Sequence, residues 1–467
     1  MIKHIKIEGN RDLDGEEIGI VVNNSDDEGS AEVGVNCRDA AYHIGTHVHD
    51  LFRGSGARLR DEAHIDFSVK DTPGNSDPKA KKLEAVVESA TEGADAVQKI
   101  LESGKTPLSL GGNHTRGLDV IGALRYCHEH GIEMGLIWVD AHADLNTPET
   151  TPSGNIHGMV SAVLTGRGPK ELIDLLRGAP FLKPENIMYI GLNDVDDQEG
   201  VPSTERQYLE ELKILGVKAY EMDEVKNPEN EDEMPQHILD AITEMGARLE
   251  KKGGKLWIEL DADVFRKEDM PAAVMDNVRG GMRVTQGYHL FDHIGCTTKP
   301  LGMGASEISG DKDSNMVGAE IIARCVGKTM GIREPLYDEL KRQYPDSANV
   351  YTLDPAKEQY YVGSRRFYKE PGCEYVEAGG NKDCFVVKDG QVIEIKRFAI
   401  QADPQDIALG TRIRISDWGS RYLGQGEGTI ERIIIPYTER ETDHILTVRM
   451  DDGRTKKLKI GEVEILS

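Results

Sequence analysis

Short β-branched and apolar runs alternate with helical stretches through the first two thirds of this 467-residue chain. One predicted helix, at about 83–101, places apolar residues three and four positions apart on one face, and the strand TPLSL follows it. The later strand runs are MGLIWV, IMYIGL, KAYEM, KLWIEL and LGMGAS, with a helical stretch between each pair. This alternation predicts an α/β fold, a parallel sheet with helices on both faces. Such sheets bind ligands beyond the carboxyl ends of their strands.

The last third of the chain has a different pattern. Residues 334–359 contain three prolines and are predicted to be a linker, whereas 360–467 contain only strand and turn patterns. Two hairpins are predicted there, around Asp389–Gly390 and Asp452–Gly453. The run GTRIRISDWGSRYLGQGEGTIERI resembles a small all-β barrel of the SH3 or Tudor type. We therefore expect an α/β domain at 1–333 and a separate barrel, for which assembly and partner recognition remain alternatives.

Charge and composition exclude several classes of function. The net charge of -26, from 82 acidic and 56 basic residues, disfavours binding to nucleic acids or anionic membranes and favours small cationic ligands. No apolar run approaches the roughly 18 residues of a spanning helix, and the N-terminus is polar, so we expect a soluble cytoplasmic protein without a signal peptide. No CxxC spacing occurs, and buried free thiols are expected at all six cysteines, Cys37, Cys127, Cys296, Cys325, Cys373 and Cys384.

Acidic and histidine side chains follow the predicted strands. In DAHAD, Asp140, His142 and Asp144 are two residues apart, so an extended backbone points all three to the same side. In IELDADVF, Asp261 and Asp263 repeat this spacing at the end of another strand. One DxHxD motif alone is frequent by chance, and only its coincidence with further clusters at strand ends favours a ligand set.

A third cluster, SLGGNHT, lets a strand turn through two glycines and brings His114 to the same edge of the sheet. The three strand ends, which look consecutive, would then hold four aspartates and two histidines. Buried together, these carboxylates would repel one another, and a pair of divalent cations would remove that repulsion. Oxygen-rich ligation with some imidazole suits manganese, although zinc, cobalt and nickel remain open. Two such cations commonly share a hydroxide that acts as a nucleophile.

Another histidine group has a spacing compatible with metal binding. It consists of His43, His47 and His49 in YHIGTHVH. No acidic residue lies within this run, and it does not follow a predicted strand. We therefore interpret it as structural or surface-exposed.

The motifs GGNH, DAHADLNTPETTPSGNIHGM, YIGLNDVDDQE, LDADVF and SEISG resemble, in order and spacing, those of the ureohydrolases and specifically of the arginases. The resemblance covers about residues 108–331; the first hundred residues fit loosely and the tail does not fit. It implies a three-layer α/β/α fold around an eight-stranded parallel sheet and two Mn²⁺ ions per subunit. It further implies hydrolysis of L-arginine to L-ornithine and urea, and a homo-oligomer, either a trimer or a hexamer.

The resemblance also implies roles for individual residues. His157 matches the proton-shuttling histidine, and Glu307 matches the carboxylate that grips the guanidinium. One metal, or a bridge between the two, would involve His114, Asp140, Asp144 and Asp263, and the other would be completed by His142 and Asp261. Asp144 is also a candidate catalytic residue. The substrate α-carboxylate would contact Asn146, Ser153 and Asn155, and the α-amino group would lie near Asp196 and Glu199.

Several positions depart from the family pattern. Asn113 replaces the aspartate that usually precedes the ligand histidine, and Met275 stands near a position where arginases carry threonine. The substrate-loop residues also have an ordinary interpretation, because Asn and Ser favour turns. Two alternatives therefore stay open: a ureohydrolase acting on agmatine, guanidinobutyrate or formiminoglutamate, and a non-catalytic binding or assembly protein on the same fold.

Overall fold

The computed structural model of the chain contains two compact units. The first consists of residues 10–52 and 57–333, and the second consists of residues 1–9, 53–56 and 334–467. In the first unit the structure describes residues 11, 13–24, 37, 40–52, 57–65, 77–193, 204–274, 280–310, 312–313 and 316–333. In the second it describes residues 55–56 and, as backbone, nine strands.

The larger unit is built on an eight-stranded sheet whose neighbouring strands all pair in parallel. The chain's first strand, β1 (Ile2–Ile5), belongs to the smaller unit. The eight strands are β2 (Glu17–Asn23), β3 (Arg58–Ile65), β4 (Thr106–Gly111), β5 (Met134–Val139), β6 (Ile187–Leu192), β7 (Lys218–Glu221), β8 (Lys255–Asp261) and β9 (Gly302–Ser306). Their spatial order is β3-β2-β4-β9-β8-β5-β6-β7, which confirms the predicted parallel α/β sheet.

Helices cover the sheet on both faces. Val21 of β2 joins the core formed with the helix at 83–102, whereas its neighbour Val22 lies on the opposite face, near Gly45 in the helix at 40–51. Successive side chains of a strand point to opposite faces, so the two helices sandwich the sheet. The helices are α1 (Ala40–Leu51), α2 (Leu83–Glu102), α3 (Val120–His130), α4 (Val160–Leu164), α5 (Lys170–Ile173), α6 (Thr204–Ile214), α7 (Met222–Val225), α8 (Gln236–Glu250), α9 (Val284–Thr297) and α10 (Val317–Thr329).

The central and edge strands differ in ways that their sequences explain. All residues of β5 and β6 are buried, as expected for apolar strands covered on both faces. The edge strand β3 reads RLRDEAHI, and its residues alternate between exposed and half-buried over most of its length. Charged residues on an edge strand oppose pairing with another chain. Because these charged residues interrupt any apolar run, β3 is absent from the strands predicted above.

The smaller unit contains two sheets. One has the order β1-β10-β11-β12, with β1 parallel to β10, and the other has the order β16-β15-β14-β13-β17 and is antiparallel throughout. The strands are β10 (Glu374–Ala378), β11 (Cys384–Lys388), β12 (Gln391–Lys396), β13 (Arg412–Ile415), β14 (Glu427–Ile434), β15 (Ile445–Met450), β16 (Thr455–Lys459) and β17 (Val463–Ile465). Both predicted hairpins are confirmed, as β11–β12 and β15–β16. The domain boundaries and the barrel type remain predictions, and the linker lies outside the described residues.

No helix in the described part of the chain has the length and apolarity that crossing a bilayer requires.

Cys37, Cys127 and Cys325 are buried free thiols, as expected, but Cys296 is also free and is exposed near the end of α9. The expectation that every cysteine is buried is therefore wrong for Cys296.

Helices α2 and α3 pack so closely that a side chain does not fit at one glycine of their contact. A Cβ atom at Gly122 would overlap the backbone carbonyl of Ala94. Gly45 in α1 provides a matched comparison, because a Cβ there would meet only a methyl group of Val22, at 4.0 Å.

Gly122→Ala is expected to lower the free energy of unfolding by about 1–3 kcal/mol, because the two helix backbones must separate. Gly45→Ala is expected to raise it by up to about 1 kcal/mol through better helix propensity. Denaturant unfolding of the two variants beside the wild type measures both changes. Equal effects in the two variants would contradict the proposed close approach.

Candidate metal centre

The six predicted ligands converge at the carboxyl edge of the sheet. His114 begins the 3-10 turn that follows β4, Asp140 directly follows β5, and Asp261 is the last residue of β8. The sequence indicated three consecutive strands, and this prediction is wrong because β9 lies between β4 and β8. That intervening strand delivers Glu307, its next residue, to the same edge.

Three carboxylates surround one ring nitrogen of His114. The Nδ1 atom lies 2.8 Å from an oxygen of Asp261, 3.0 Å from Asp144 and 3.3 Å from Asp140. One ring nitrogen can donate at most one hydrogen, so it cannot satisfy three carboxylates. The ring itself is held by stacking on Trp138, with 4.7 Å between ring centroids.

A second group forms around His142. Its Nδ1 atom lies 3.0 Å from Asp263 and 3.5 Å from the other oxygen of Asp140. Asp140 therefore faces both histidines, one with each carboxylate oxygen. The side chain of His142 is 32% exposed, whereas those of Asp140 and Asp263 are almost fully buried, so this group is the more open to solvent.

The structure changes the expected grouping of the ligands. The resemblance to the arginases placed Asp263 with His114 and Asp261 with His142. In the structure, Asp261 instead contacts His114 and Asp263 contacts His142. Among the described residues, the two groups whose ligand atoms could hold a cation are His114 with Asp140 and Asp261, and His142 with Asp140 and Asp263. Asp261 ends β8 and points along the sheet toward β4, whereas Asp263 lies in the following turn and reaches the loop after β5.

The pKa values of the cluster share one electrostatic cause. Burial, followed by the charge of Asp263, raises the pKa of Asp261 well above its ordinary value. Burial, followed by the charge of Asp140, also raises the pKa of Asp144. For Asp140, burial acts in the same direction, but the contacts with His114 and His142 outweigh it and lower the pKa. Burial would lower the pKa of His114, yet the surrounding carboxylates raise it well above the usual value.

The donor set therefore fits divalent cations. Four carboxylates carry a charge of about -4, which two divalent cations would neutralise without any protonation. Oxygen atoms in the majority, with one imidazole nitrogen in each group, are suitable ligands for Mn²⁺ and related cations. Asp140, whose two oxygens face opposite groups, is placed to bridge two ions.

Two residues of the centre have left-handed backbone conformations. Asp144 has a φ of +50° and Glu307 a φ of +64°, values that few of the described non-glycine residues adopt. Such a conformation costs on the order of 1–3 kcal/mol and persists where the surroundings determine it. For Glu307 the backbone N–H donates to the carbonyl of Gly112 at 2.8 Å, and the side chain accepts from the backbone N–H of His114 at 2.6 Å. These contacts fix the carboxylate beside the cluster.

Asn113 connects the metal cluster with His157. Its Oδ1 atom accepts a hydrogen bond from the backbone N–H of Thr115 at 2.9 Å, as the N-cap of the turn that begins with His114. Its Nδ2 atom therefore faces Nδ1 of His157, at 3.2 Å. Since an amide N–H donates, Nδ1 of a neutral His157 accepts and the ring proton lies on Nε2. Asparagine in place of the family's aspartate therefore determines which ring nitrogen of neutral His157 carries the proton.

The expected substrate residues lie in the loop that follows the cluster. Asn146 is buried and its Oδ1 accepts from Thr150 Oγ1 at 3.0 Å, whereas Ser153 is exposed and accepts from the backbone N–H of Asn155 at 3.2 Å. The Oδ1 atom of Asn155 is buried without a hydrogen-bond partner among the described residues. Glu149, in the same loop, is exposed. Two further candidates, Asp196 and Glu199, and also Met275, lie outside the described residues.

The histidines of α1 do not form a ligand group of this kind with any residue that the structure describes. His43 and His49 are buried, and His49 Nε2 lies 3.1 Å from Asp61 on the edge strand β3. This acidic partner could not be recognised from the sequence, because Asp61 follows His49 by twelve positions. The pairing supports the structural interpretation of the group.

Comparisons with known proteins agree with this fold. The profile of the arginase family matches residues 22–331. The arginase of Bacillus subtilis (strain 168) is 40% identical over 173 residues, which is 36% of this chain and 54% of that protein. The arginase of Bacillus caldovelox is 33% identical over 212 residues, 45% of this chain and 64% of that protein. Both alignments span less than two thirds of the relative.

Solved arginase structures match this chain over almost their whole length. The native structure of Bacillus caldovelox arginase has a TM-score of 0.57 at 25% identity, covering 68% of this chain and 98% of that one. Arginase from Bacillus subtilis subsp. subtilis str. 168 has a TM-score of 0.56 at 28% identity, with 68% and 99% covered. The parallel sheet and the histidine–aspartate cluster at its edge define the ureohydrolase class. Since the family profile covers more than half of its residues, the chain belongs to the arginase family.

Asn113 provides a test of the site geometry. Asn113→Ala is expected to cost about 1 kcal/mol of unfolding free energy, because the N-cap is lost. Asn113→Asp keeps the acceptor for Thr115 and is expected to retain that stability. Its carboxylate can only accept, so the neutral ring of His157 should then carry its proton on Nδ1. The ¹⁵N chemical shifts of histidine-labelled protein report this tautomer, and identical His157 shifts in the wild type and Asn113→Asp would show that the contact is not formed.

Proposed function

We propose that this protein is a binuclear manganese hydrolase that cleaves the guanidinium group of L-arginine to L-ornithine and urea. The observation that carries the proposal is the pair of ligand groups that share Asp140 at the carboxyl edge of the sheet. Family membership supports the reaction class, and the acidic net charge favours a cationic substrate.

The ligand residues would divide into two sets. One set is centred on His114, and the other is centred on His142 and Asp263. Asp140 would bridge the two sets, and the first would also include Asp144 and Asp261. When bound, two divalent cations supply a hydroxide at neutral pH, which a poorly electrophilic guanidinium carbon requires.

Glu307 and His157 would carry the remaining chemistry. The Glu307 carboxylate is fixed beside His114 and would orient the guanidinium through charge-assisted hydrogen bonds. His157 would donate a proton to the leaving amine, for which an imidazole is suited because it exchanges protons near neutral pH. In neutral His157 the ring proton would lie on Nε2, because Nδ1 accepts from Asn113, and the acid that protonates the leaving amine would be the imidazolium form.

Specificity for L-arginine would come from the loop after the cluster. Asn146, Ser153 and Asn155 would receive the α-carboxylate, and Asp196 and Glu199 would lie near the α-amino group. A ureohydrolase for agmatine, guanidinobutyrate or formiminoglutamate would use the same metal centre, but none of these substrates presents the α-carboxylate and the free α-amino group of L-arginine together. A cytoplasmic homo-oligomer, a trimer or a hexamer, completes the proposal.

The substrate is tested by one comparison of guanidines. With Mn²⁺ present, the purified protein is expected to release urea from L-arginine faster than from agmatine or guanidinobutyrate, because agmatine lacks the carboxylate and guanidinobutyrate lacks the α-amino group. A colorimetric urea assay at equal substrate concentrations measures the three rates. Urea from agmatine alone would refute arginine specificity while leaving the hydrolase proposal intact.

His142→Ala tests the metal centre itself. The variant is expected to lose about 100-fold or more of the rate, since even residues that only hydrogen-bond to metal ligands contribute about 10- to 100-fold. The matched control is His128→Ala, because His128 is exposed at the end of α3. An equal loss in both variants would point to a general defect rather than to the metal centre.

Metal analysis separates the enzyme from a scaffold built on the same fold. We expect about two manganese ions per chain at saturation, and a lower melting temperature after chelation because the buried carboxylates lose their counter-charge. Atomic absorption and thermal unfolding measure the two quantities. Fewer than about one ion per chain would instead support the non-catalytic binding or assembly protein.

A further inference from the structure

A buried ion pair lies directly beneath the metal cluster. Arg116 and Glu259 have fully buried side chains, and Nη2 of the guanidinium contacts Oε1 of the carboxylate. The guanidinium also donates from Nη1 to the carbonyl of Ser109 at 3.2 Å. Removing two charges from water costs several kcal/mol per ion and is offset only by good geometry and further hydrogen bonds. A pair of this kind needs an explanation beyond stability.

The sheet is shaped to accommodate the pair. A Cβ atom at Gly111, the last residue of β4, would overlap the side chain of Arg116. A Cβ atom at Gly304 in β9 would overlap both the guanidinium and the carboxylate of Glu259. Two adjacent strands therefore lack side chains where the pair sits. The arrangement is specific to the pair, because no larger residue fits at either position without moving it.

The pair reaches the metal cluster through His114. Nε2 of this ring lies 3.6 Å from Oε1 of Glu259, while Nδ1 faces the carboxylates of the cluster, the nearest being that of Asp261. Stacking on Trp138 keeps the ring in this plane. Each ring nitrogen of His114 thus has a distinct neighbour, Glu259 on one side and the candidate metal position on the other.

Trp257 decides which atom of Glu259 faces the histidine. Its indole Nε1 donates to Oε2 of Glu259 at 3.1 Å. The other oxygen, Oε1, therefore faces both Arg116 and His114. A carboxylate oxygen held against a guanidinium is an acceptor only. It favours the His114 tautomer with its proton on Nε2, which leaves the Nδ1 lone pair directed at the cluster.

We propose that Arg116 and Glu259 are positioning residues that prepare His114 to bind the metal through Nδ1. Glu259 fixes the tautomer and the orientation of the ring, and Arg116 keeps Glu259 in place. Outer partners of ligand histidines commonly have this effect on metal affinity. The inference rests on the proposed metal centre and adds a pair of residues that the ligand motifs do not contain.

Glu259→Gln is the sharpest test, because it changes a single atom. Trp257 still requires an oxygen at the Oε2 position, so the amide NH₂ is turned toward His114 Nε2. A donor there favours the opposite tautomer, in which Nδ1 carries the proton and cannot bind a metal. The affinity for Mn²⁺ is expected to fall by about 10- to 100-fold. Electron paramagnetic resonance of free Mn²⁺ during titration of the full chain measures it, without an activity assay.

A second variant separates positioning from folding. Arg116→Met combined with Glu259→Met replaces the pair by apolar side chains, a change that often leaves stability unaltered or increases it. We expect the metal-free protein to melt near the wild-type temperature while Mn²⁺ affinity falls as in Glu259→Gln. The control is Arg125→Met in α3, because that buried guanidinium contacts Asp95 and the carbonyl of Leu175 at 2.6 Å each. It is expected to lose stability and keep its Mn²⁺ affinity.

The outcomes distinguish the two proposals. If the wild type binds Mn²⁺ and the folded double variant binds it with the same affinity, the positioning role is wrong and the metal centre stands. The same conclusion follows if Arg125→Met loses as much affinity as the double variant, since any buried arginine would then suffice. If the wild type itself binds no Mn²⁺, the proposed metal centre fails, and the role of Arg116 and Glu259 fails with it.

Discussion

Electrostatic repulsion among buried carboxylates is the constraint on which the rest of this structure depends. Asp140, Asp144, Asp261 and Asp263 meet at one edge of a parallel sheet, where desolvation raises the cost of every negative charge. The directions of the pKa shifts express this constraint, because the pKa values of Asp144, Asp261 and His114 are all raised. Protonation or bound divalent cations must offset the repulsion.

The side-chain contacts of the cluster extend into the sheet beneath it. His114 is held between its carboxylate neighbours and Glu259, and Glu259 is held by Arg116 and Trp257. This chain of contacts crosses from the loop layer into strands that are otherwise mostly apolar and buried. A polar network thus joins the site to the core.

Much of the site could be predicted, because its ligands are close together in the sequence. The spacing of two in DAHAD and DAD places carboxylates on one side of an extended chain, and both glycines before His114 mark a turn at a strand end. The division of Asp261 and Asp263 between two groups could not be predicted, since it depends on which strand lies beside β8. Glu259 gave no signal either, because one acidic residue in an apolar run acquires meaning only from its neighbours across the sheet.

The sequence by itself determined the parallel α/β architecture, the two hairpins of the smaller unit and the six candidate ligands, because these follow from periodicity and short-range spacing. Tertiary structure alone decided the spatial order of the strands, with β9 between β4 and β8, and so the position of Glu307. It also decided the pairing of Arg116, in the turn after β4, with Glu259 of β8, because these segments share no local pattern. The physical reason is that such pairings arise between segments far apart in the chain, where only packing brings the side chains together.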